Sequence, residues 1–342
     1  MTTLAFAGAG WITAVHGLAV AGVPGLRIER VASRTTDAAQ RRAAQVGAEA
    51  CGYGDLPGGA DAVVVATPPT LHGPEARRAV EAGAAALVEA PLAATLAAAD
   101  GLVDLAAAPR AVVAYGENLV HAPAVAEALR ARRKIGELTY LEVRLAQGAP
   151  TDRPGHLDAA WGGGALFDLG VHAVALALLL AAPARPVEVE AQLEAGDGFD
   201  VDDDANMTLK FDTGLAARVR ATWRAPAPVW EAQGASADGA VRLELVPQPG
   251  VDVNGSSVRV PDSPDDLPSP QLHHLGYVGQ LAALAADAAA GRRPRCGPAF
   301  GRTVLDVVCA AYAAAGADRP EPLPFAGPRD LTPHQLWRAY AA

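Results

Sequence analysis

The sequence predicts an α/β protein of two parts. The first is a doubly wound parallel sheet. The second is a carboxy-terminal α/β domain built on a mostly antiparallel open sheet. Residues 1–120 alternate short β-rich runs with helical stretches, the order expected of parallel strands joined by right-handed crossovers. After residue 120, strand-like runs follow one another through tight turns, as antiparallel strands do. Length agrees, since 342 residues amount to about two domains at roughly 150 residues each. The expected boundaries are therefore 1–120 and 121–342.

The first part opens with strand Leu4–Ala7, a Gly-rich turn and helix Ile12–Ala21. Strand Arg27–Ser33 and helix Asp37–Val46 follow. Asp61–Ala66 is almost continuously apolar, as in a strand covered on both faces. Helix Glu75–Ala82, strand Ala86–Val88, helix Thr95–Ala107 and strand Ala111–Tyr115 complete the alternation. In the second part a helix at Pro123–Arg133 leads into strand Leu138–Leu145 and a single helix at Gly164–Leu180. Strands Val187–Leu193, Ala205–Phe211, Leu215–Trp223 and Ala240–Val246 come next, joined by turns such as Asp212-Thr213-Gly214 and Asp238-Gly239. Residues 247–270, rich in proline and aspartate, read as a long exposed loop. Two closing helices, Leu272–Ala289 and Phe300–Ala315, are expected to pack back on the first domain.

Composition narrows the function. Apolar residues make up 51% and charged residues 19%, as in a globular chain with a well-filled interior. The net charge of −10 gives no diffuse attraction for nucleic acid or anionic lipid. The expected partner is a small molecule. Cys51, Cys296 and Cys309 form no C-x-x-C pair, which suggests neither a disulfide framework nor a Cys-rich zinc site. His273 and His274 lack further ligands at metal spacing, so no metal is assigned. The amino terminus has no basic region before its first strand. The longest clean apolar run, Ala173–Ala182, is about half a membrane span. A cytoplasmic protein away from membranes is expected.

Gly8-Ala9-Gly10-Trp11-Ile12-Thr13 lies between the first strand and the first helix. There the first glycine permits a tight turn, and the second lets the backbone approach a pyrophosphate resting on the helix N-terminus. The third glycine of that fingerprint is replaced by Thr13, which is expected to shift the helix slightly. The second strand ends in Ser33-Arg34-Thr35 rather than an acid. A guanidinium at this point suits a 2′-phosphate. NADP(H) is therefore favoured, with NAD(H) as the alternative.

Further segments complete a resemblance. Gly8-Ala9-Gly10-Trp11-Ile12 with His16 resembles a G-x-G-x-I-x-x-x-H opening. Ala66-Thr67-Pro68-Pro69-Thr70-Leu71-His72 resembles A-T-P-P-x-x-H, and Glu89-Ala90-Pro91-Leu92 resembles E-K-P-L. Gly162-Gly163-Gly164-Ala165-Leu166-Phe167-Asp168-Leu169-Gly170-Val171-His172 resembles a G-G-G-x-L-x-D-x-G-x-H helix, and His274-Leu275-Gly276-Tyr277 fits before a late helix. Together these resemble the Gfo/Idh/MocA oxidoreductases over nearly the whole chain. The resemblance implies a Rossmann domain, a nicotinamide cofactor and a homodimer or homotetramer formed through the C-terminal sheet. By position, Gly8, Gly10, Trp11 and Ile12 would face the pyrophosphate, and Ser33 and Arg34 the adenosine ribose. Thr67, Pro68 and His72 would lie along the cofactor, and Glu89, Ala90, Pro91 and Asn118 beside the nicotinamide.

One departure bears on mechanism. Typical members use the lysine of E-K-P, with the Asp and His of the later helix, to hold a substrate hydroxyl and move its proton. Here that slot is Ala90, and the only lysines are Lys134 and Lys210. General acid–base help is worth about 10²–10⁴-fold, so another group must serve or the substrate must differ. Asp168 and His172 are four apart, on one face of a continuous helix, and are the expected catalytic pair. His156, Asp158, Trp161 and Tyr115 are further candidates for the substrate. The resulting reading is an oxidoreductase acting on a C=O, C=N or conjugated bond, in a biosynthetic setting. The alternatives are a nucleotide-binding pseudoenzyme and a net-redox-neutral NAD-dependent lyase or hydrolase.

Overall fold

A computed structural model describes residues 1–341. The chain forms two compact units, one of residues 1–93, 97–122 and 262–302, the other of 94–96, 123–261 and 303–342. The first unit is a parallel sheet of β1 (Thr2–Ala7), β2 (Leu26–Ala32), β3 (Glu49–Cys51), β4 (Ala62–Val65), β5 (Ala85–Glu89) and β6 (Val113–Gly116), in the order β3-β2-β1-β4-β5-β6. Its crossovers carry α1 (Trp11–Ala19), α2 (Thr36–Val46), α3 (His72–Glu81) and α4 (Leu96–Ala107). Every residue of β4 and β5 is buried. Strands covered on both faces need side chains that are apolar on both, which explains the unbroken Ala-Val-Val-Val run. Leu4, Phe6, Val31, Val64 and Leu87 lie at the centre of this core.

The second unit begins with α5 (Pro123–Arg132) and β7 (Tyr140–Gly148). The single helix expected at Gly164–Leu180 is two, α6 (Ala165–Asp168) and α7 (Gly170–Ala181), and the chain bends by 42° at the joint. Gly170 sits there, and a Cβ on it would fall 2.5 Å from Leu166 Cδ1. The missing side chain lets one helix fold under the next. α7 is buried on nearly all sides and packs on β7. The strands β8 (Pro186–Glu194), β9 (Asp204–Phe211), β10 (Ala216–Thr222) and β12 (Gly239–Val246) fall where alternation predicts them. Between the last two lies β11 (Arg224–Ser236), a strand the sequence reading left out. Pro226 and Pro228 fall where its pairing with β7 shifts register, between Arg224 and Val229. Prolines are tolerated at such a bulge because no ladder bond is needed from them.

Part of the segment expected to be a loop is sheet edge, in β13 (Gly250–Val253) and β14 (Ser256–Val258). The chain then returns to the first unit. Leu267, Leu272 of α8 (Gln271–His274), and Val278, Leu281 and Leu284 of α9 (Tyr277–Ala290) join the core of the parallel sheet. The first unit thus also takes in residues 262–302, which close its core. Of the two closing helices, α9 belongs to the first unit, whereas α10 (Pro298–Ala317) passes at Thr303 into the second. β15 (Glu321–Pro322) and α11 (Pro333–Tyr340) complete the chain. The second sheet runs β14-β13-β12-β11-β7-β10-β9-β8-β15 and is antiparallel except where β7 meets β10.

Candidate active site

The turn between β1 and α1 is built around two different glycines. Gly8 has φ +121°, and a Cβ on it would lie 2.3 Å from the Ala66 carbonyl oxygen. Only glycine fits. Gly10 is the N-cap of α1 with an ordinary φ of −74°, and a Cβ there would meet nothing within 4 Å. Nothing inside the protein demands that glycine. It leaves open space over the first amides of a helix, where the dipole favours an anion. The buried Thr13 hydroxyl donates to the Gly8 carbonyl at 2.9 Å and fastens the turn.

Arg42 of α2, absent from the sequence reading, reaches across to this turn. Its Nη2 donates to the Gly10 carbonyl at 2.9 Å and its Nε to that of Ala9 at 3.3 Å. The guanidinium therefore both braces the loop and puts a positive charge beside it. Replacing Arg42 with alanine is expected to weaken dinucleotide binding about tenfold, the scale of one lost charge-assisted hydrogen bond, with little change in melting temperature. Equilibrium titration with NADPH and NADH checks this. Ser33 and Arg34 follow the end of β2, with Arg34 exposed. Ile12 is half-buried and Trp11 is 47% exposed.

At the ends of β4 and β5 the predicted residues divide. The buried Thr67 hydroxyl has no hydrogen-bond partner within the protein, and Pro68 is exposed. Glu89 Oε1 lies 2.5 Å from Nε2 of the wholly buried His16, with Ala90 half-buried and Pro91 buried beside it. His72 is not open to a cofactor. It is 1% exposed, and its ring nitrogens face the carbonyls of Thr67 (2.9 Å) and Leu92 (3.2 Å). Burial pushes its pKa down against those hydrogen bonds, and the neutral ring, with a single N–H, donates to one of these two carbonyls. Asn118 is likewise committed, donating Nδ2–H to the Leu275 carbonyl at 2.7 Å. Tyr115 is 1% exposed. Its ring rests against Gly301, where a Cβ would be only 2.8 Å away, and it lines a small cavity of about 30 Å³ with Gln280. It is an interior residue rather than the substrate-facing one expected, because the glycine opens a slot for the ring.

In the second unit the predicted pair sits on either side of the helix joint. Asp168, at the end of α6, has its Oδ1 3.7 Å from His156 Nε2. His156 stacks on Trp161 with ring centroids 4.3 Å apart, and Trp161 meets Phe167 edge-on. Burial lowers the His156 pKa more than Asp168 raises it. His156 is therefore mainly neutral at pH 7 and can hold a single proton on either nitrogen. His172, in the first turn of α7, stacks on Trp230 at 6.3 Å. Trp230 lies on the strand absent from the sequence reading. Asp158 is exposed and accepts from the Ala160 N–H at 2.8 Å, so it caps a short turn.

A six-stranded parallel sheet carrying this glycine turn, followed by a mostly antiparallel α/β unit, defines a dinucleotide-binding protein of the Rossmann class. Family models narrow this. The oxidoreductase family NAD-binding Rossmann fold matches residues 2–117, and the GFO/IDH/MocA C-terminal domain matches residues 124–244. The chain belongs to the Gfo/Idh/MocA family of oxidoreductases. Among solved structures it is similar to GenD2 from gentamicin A biosynthesis in complex with NAD, at 25% identity and TM-score 0.81, over 94% of this chain and 96% of that one. It is similar in fold to an oxidoreductase domain protein from Kribbella flavida (21% identity, 95% and 100% coverage, TM-score 0.83). An aldose-aldose oxidoreductase from Caulobacter crescentus complexed with glycerol is also similar in fold (23%, 94% and 99%, 0.80). No curated protein sequence matches it.

Proposed function

We propose that the protein transfers a hydride between NADP(H) or NAD(H) and a small molecule bearing a C=O, C=N or conjugated double bond. The observation that carries this reading is Gly10, a glycine kept where the protein itself needs none, at the mouth of α1. Gly8, Gly10 and Ile12 would hold the diphosphate, with Arg42 supplying charge. Ser33 and Arg34 would hold the adenosine ribose. Arg34 supports NADP(H), because a guanidinium pairs well with a 2′-phosphate. The bound cofactor supplies or accepts the hydride. The unpartnered Thr67 hydroxyl and the Glu89–His16 pair are the polar groups that would orient it.

The chain must then handle a proton. Ala90 has neither proton nor charge, so a simple alcohol would bind without the lysine that typical members use to move its proton. This supports an imine or activated double bond over a common sugar. His172 and Asp168 are the proposed proton-handling residues, with His156 paired to Asp168. The deciding experiment mixes the protein with NADPH and NADH, follows nicotinamide fluorescence, and then screens imines, enones and polyols for absorbance change. Failure to bind either dinucleotide would end the proposal. Ala90→Lys is expected to create polyol dehydrogenase activity, with a gain of about 10²-fold over background. No gain in a folded, cofactor-binding variant would mean that this slot does not face substrate.

A further inference from the structure

We infer that Asp202 and Tyr312 are positioning residues that set the place of the Asp168–His172 segment. This rests on the reading that Asp168 and His172 handle the proton. Asp202, wholly buried just before β9, serves three consecutive backbone donors at the start of α6. Its Oδ1 accepts from Gly164 N–H at 3.0 Å and its Oδ2 from Leu166 N–H at 2.8 Å. Its carbonyl accepts from Ala165 N–H at 2.8 Å. First-turn amides have no partner within their own helix. Here one residue satisfies three of them, using both side chain and main chain. Tyr312 of α10, also wholly buried, donates its hydroxyl to Oδ1 at 2.5 Å and fixes the carboxylate from behind.

α6 has only four residues, too few to hold its own geometry. Its place is therefore dictated by the cap. The turn then runs straight to the proposed site, since Asp168 N–H donates to the Gly164 carbonyl at 2.9 Å. Two glycines of the triplet have the same cause. A Cβ on Gly164 would lie 1.9 Å from the Asp202 carbonyl oxygen, and one on Gly163 would lie 2.6 Å from the Tyr312 hydroxyl. Gly163 and Gly164 let the backbone lie close against this pair.

Asp202→Asn keeps the shape but turns one acceptor into a donor facing an N–H or the tyrosine hydroxyl. Tyr312→Phe keeps the ring and removes the hydroxyl that donates to Asp202 Oδ1 and also accepts from Gly164 N–H at 3.1 Å. Hydrogen-exchange mass spectrometry on the full chain reads the amides of Gly164, Ala165 and Leu166 directly. In Asp202→Asn their protection should fall about tenfold or more. Tyr312→Phe should have a smaller effect, and dinucleotide binding should be unchanged in both. With a substrate that the wild type turns over, kcat should fall while the cofactor KM holds, and Tyr312→Phe should retain more activity than Asp202→Asn. Unchanged protection at residues 164–166, or a loss spread evenly over the second unit, would overturn the inference. Should Asp202→Asn not fold, Tyr312→Phe decides by the same readout. If the wild type turns over nothing, the hydride-transfer reading falls while the exchange measurement still tests the anchor.

Discussion

Gly8→Ala is expected to destabilise the protein by about 3–5 kcal/mol, the sum of a left-handed backbone strain and an overpacked contact, and to abolish dinucleotide binding. The new methyl group would lie 2.3 Å from the Ala66 carbonyl oxygen at a φ of +121°. That oxygen belongs to backbone just past β4, so relief requires β1 and β4 to separate where they are hydrogen-bonded. Gly10→Ala is the matching control. Its φ is ordinary and its Cβ would touch nothing, so its melting temperature should stay within about 1 °C of wild type, as for a neutral surface change. Yet the methyl group would occupy the space into which a diphosphate must come. Binding should weaken about tenfold or more, equivalent to about 1.4 kcal/mol. Thermal melts paired with NADPH and NADH titrations separate the two glycines. A Gly10→Ala protein that binds both dinucleotides like the wild type would remove the diphosphate from this turn.

That contrast also marks what could be read from the chain. The glycine turn and the strands around it were legible because a strand covered on both faces is apolar at every position, and a turn with no room for Cβ must use glycine. The partners of those features were not. Arg42 looks like any charge on a solvated helix face, and its contacts are to backbone carbonyls, which leave no trace in sequence. Asp202, Asp203 and Asp204 read as one acidic stretch, but they diverge. Asp202 caps α6, Asp203 pairs with Arg224 and Asp204 with Arg220. His72 carries a family-like spacing, yet burial assigns it to the interior. The strand Arg224–Ser236 was hidden by two prolines that a register shift accommodates. The expectation of one continuous helix through Asp168 and His172 failed because periodicity does not reveal a bend at glycine.

His172→Ala is expected to lower turnover by about 10²-fold or more if this imidazole carries the proton. Asp168 ends α6, His172 lies in the first turn of α7, and His156 stands beside Asp168. Asp168 already has a neighbour, since His156 Nε2 lies 3.7 Å from its Oδ1. Burial holds His156 below the usual histidine pKa, so its stabilising neutral form is lost as pH falls through that lowered value. His172 instead stacks on Trp230, and alanine would remove the ring contact together with the nitrogens. His172→Phe keeps an aromatic ring against Trp230 and has no proton to give. If the imidazole is the proton carrier, alanine and phenylalanine should be equally slow, and the loss should be greatest where the wild-type rate peaks. If phenylalanine restores the rate, the ring is packing only. His156→Ala is expected to cost less, about tenfold, by leaving Asp168 without its partner. A double variant no slower than His172→Ala alone would place both histidines on one proton path, because coupled groups do not add. Full additivity would instead assign them to separate tasks.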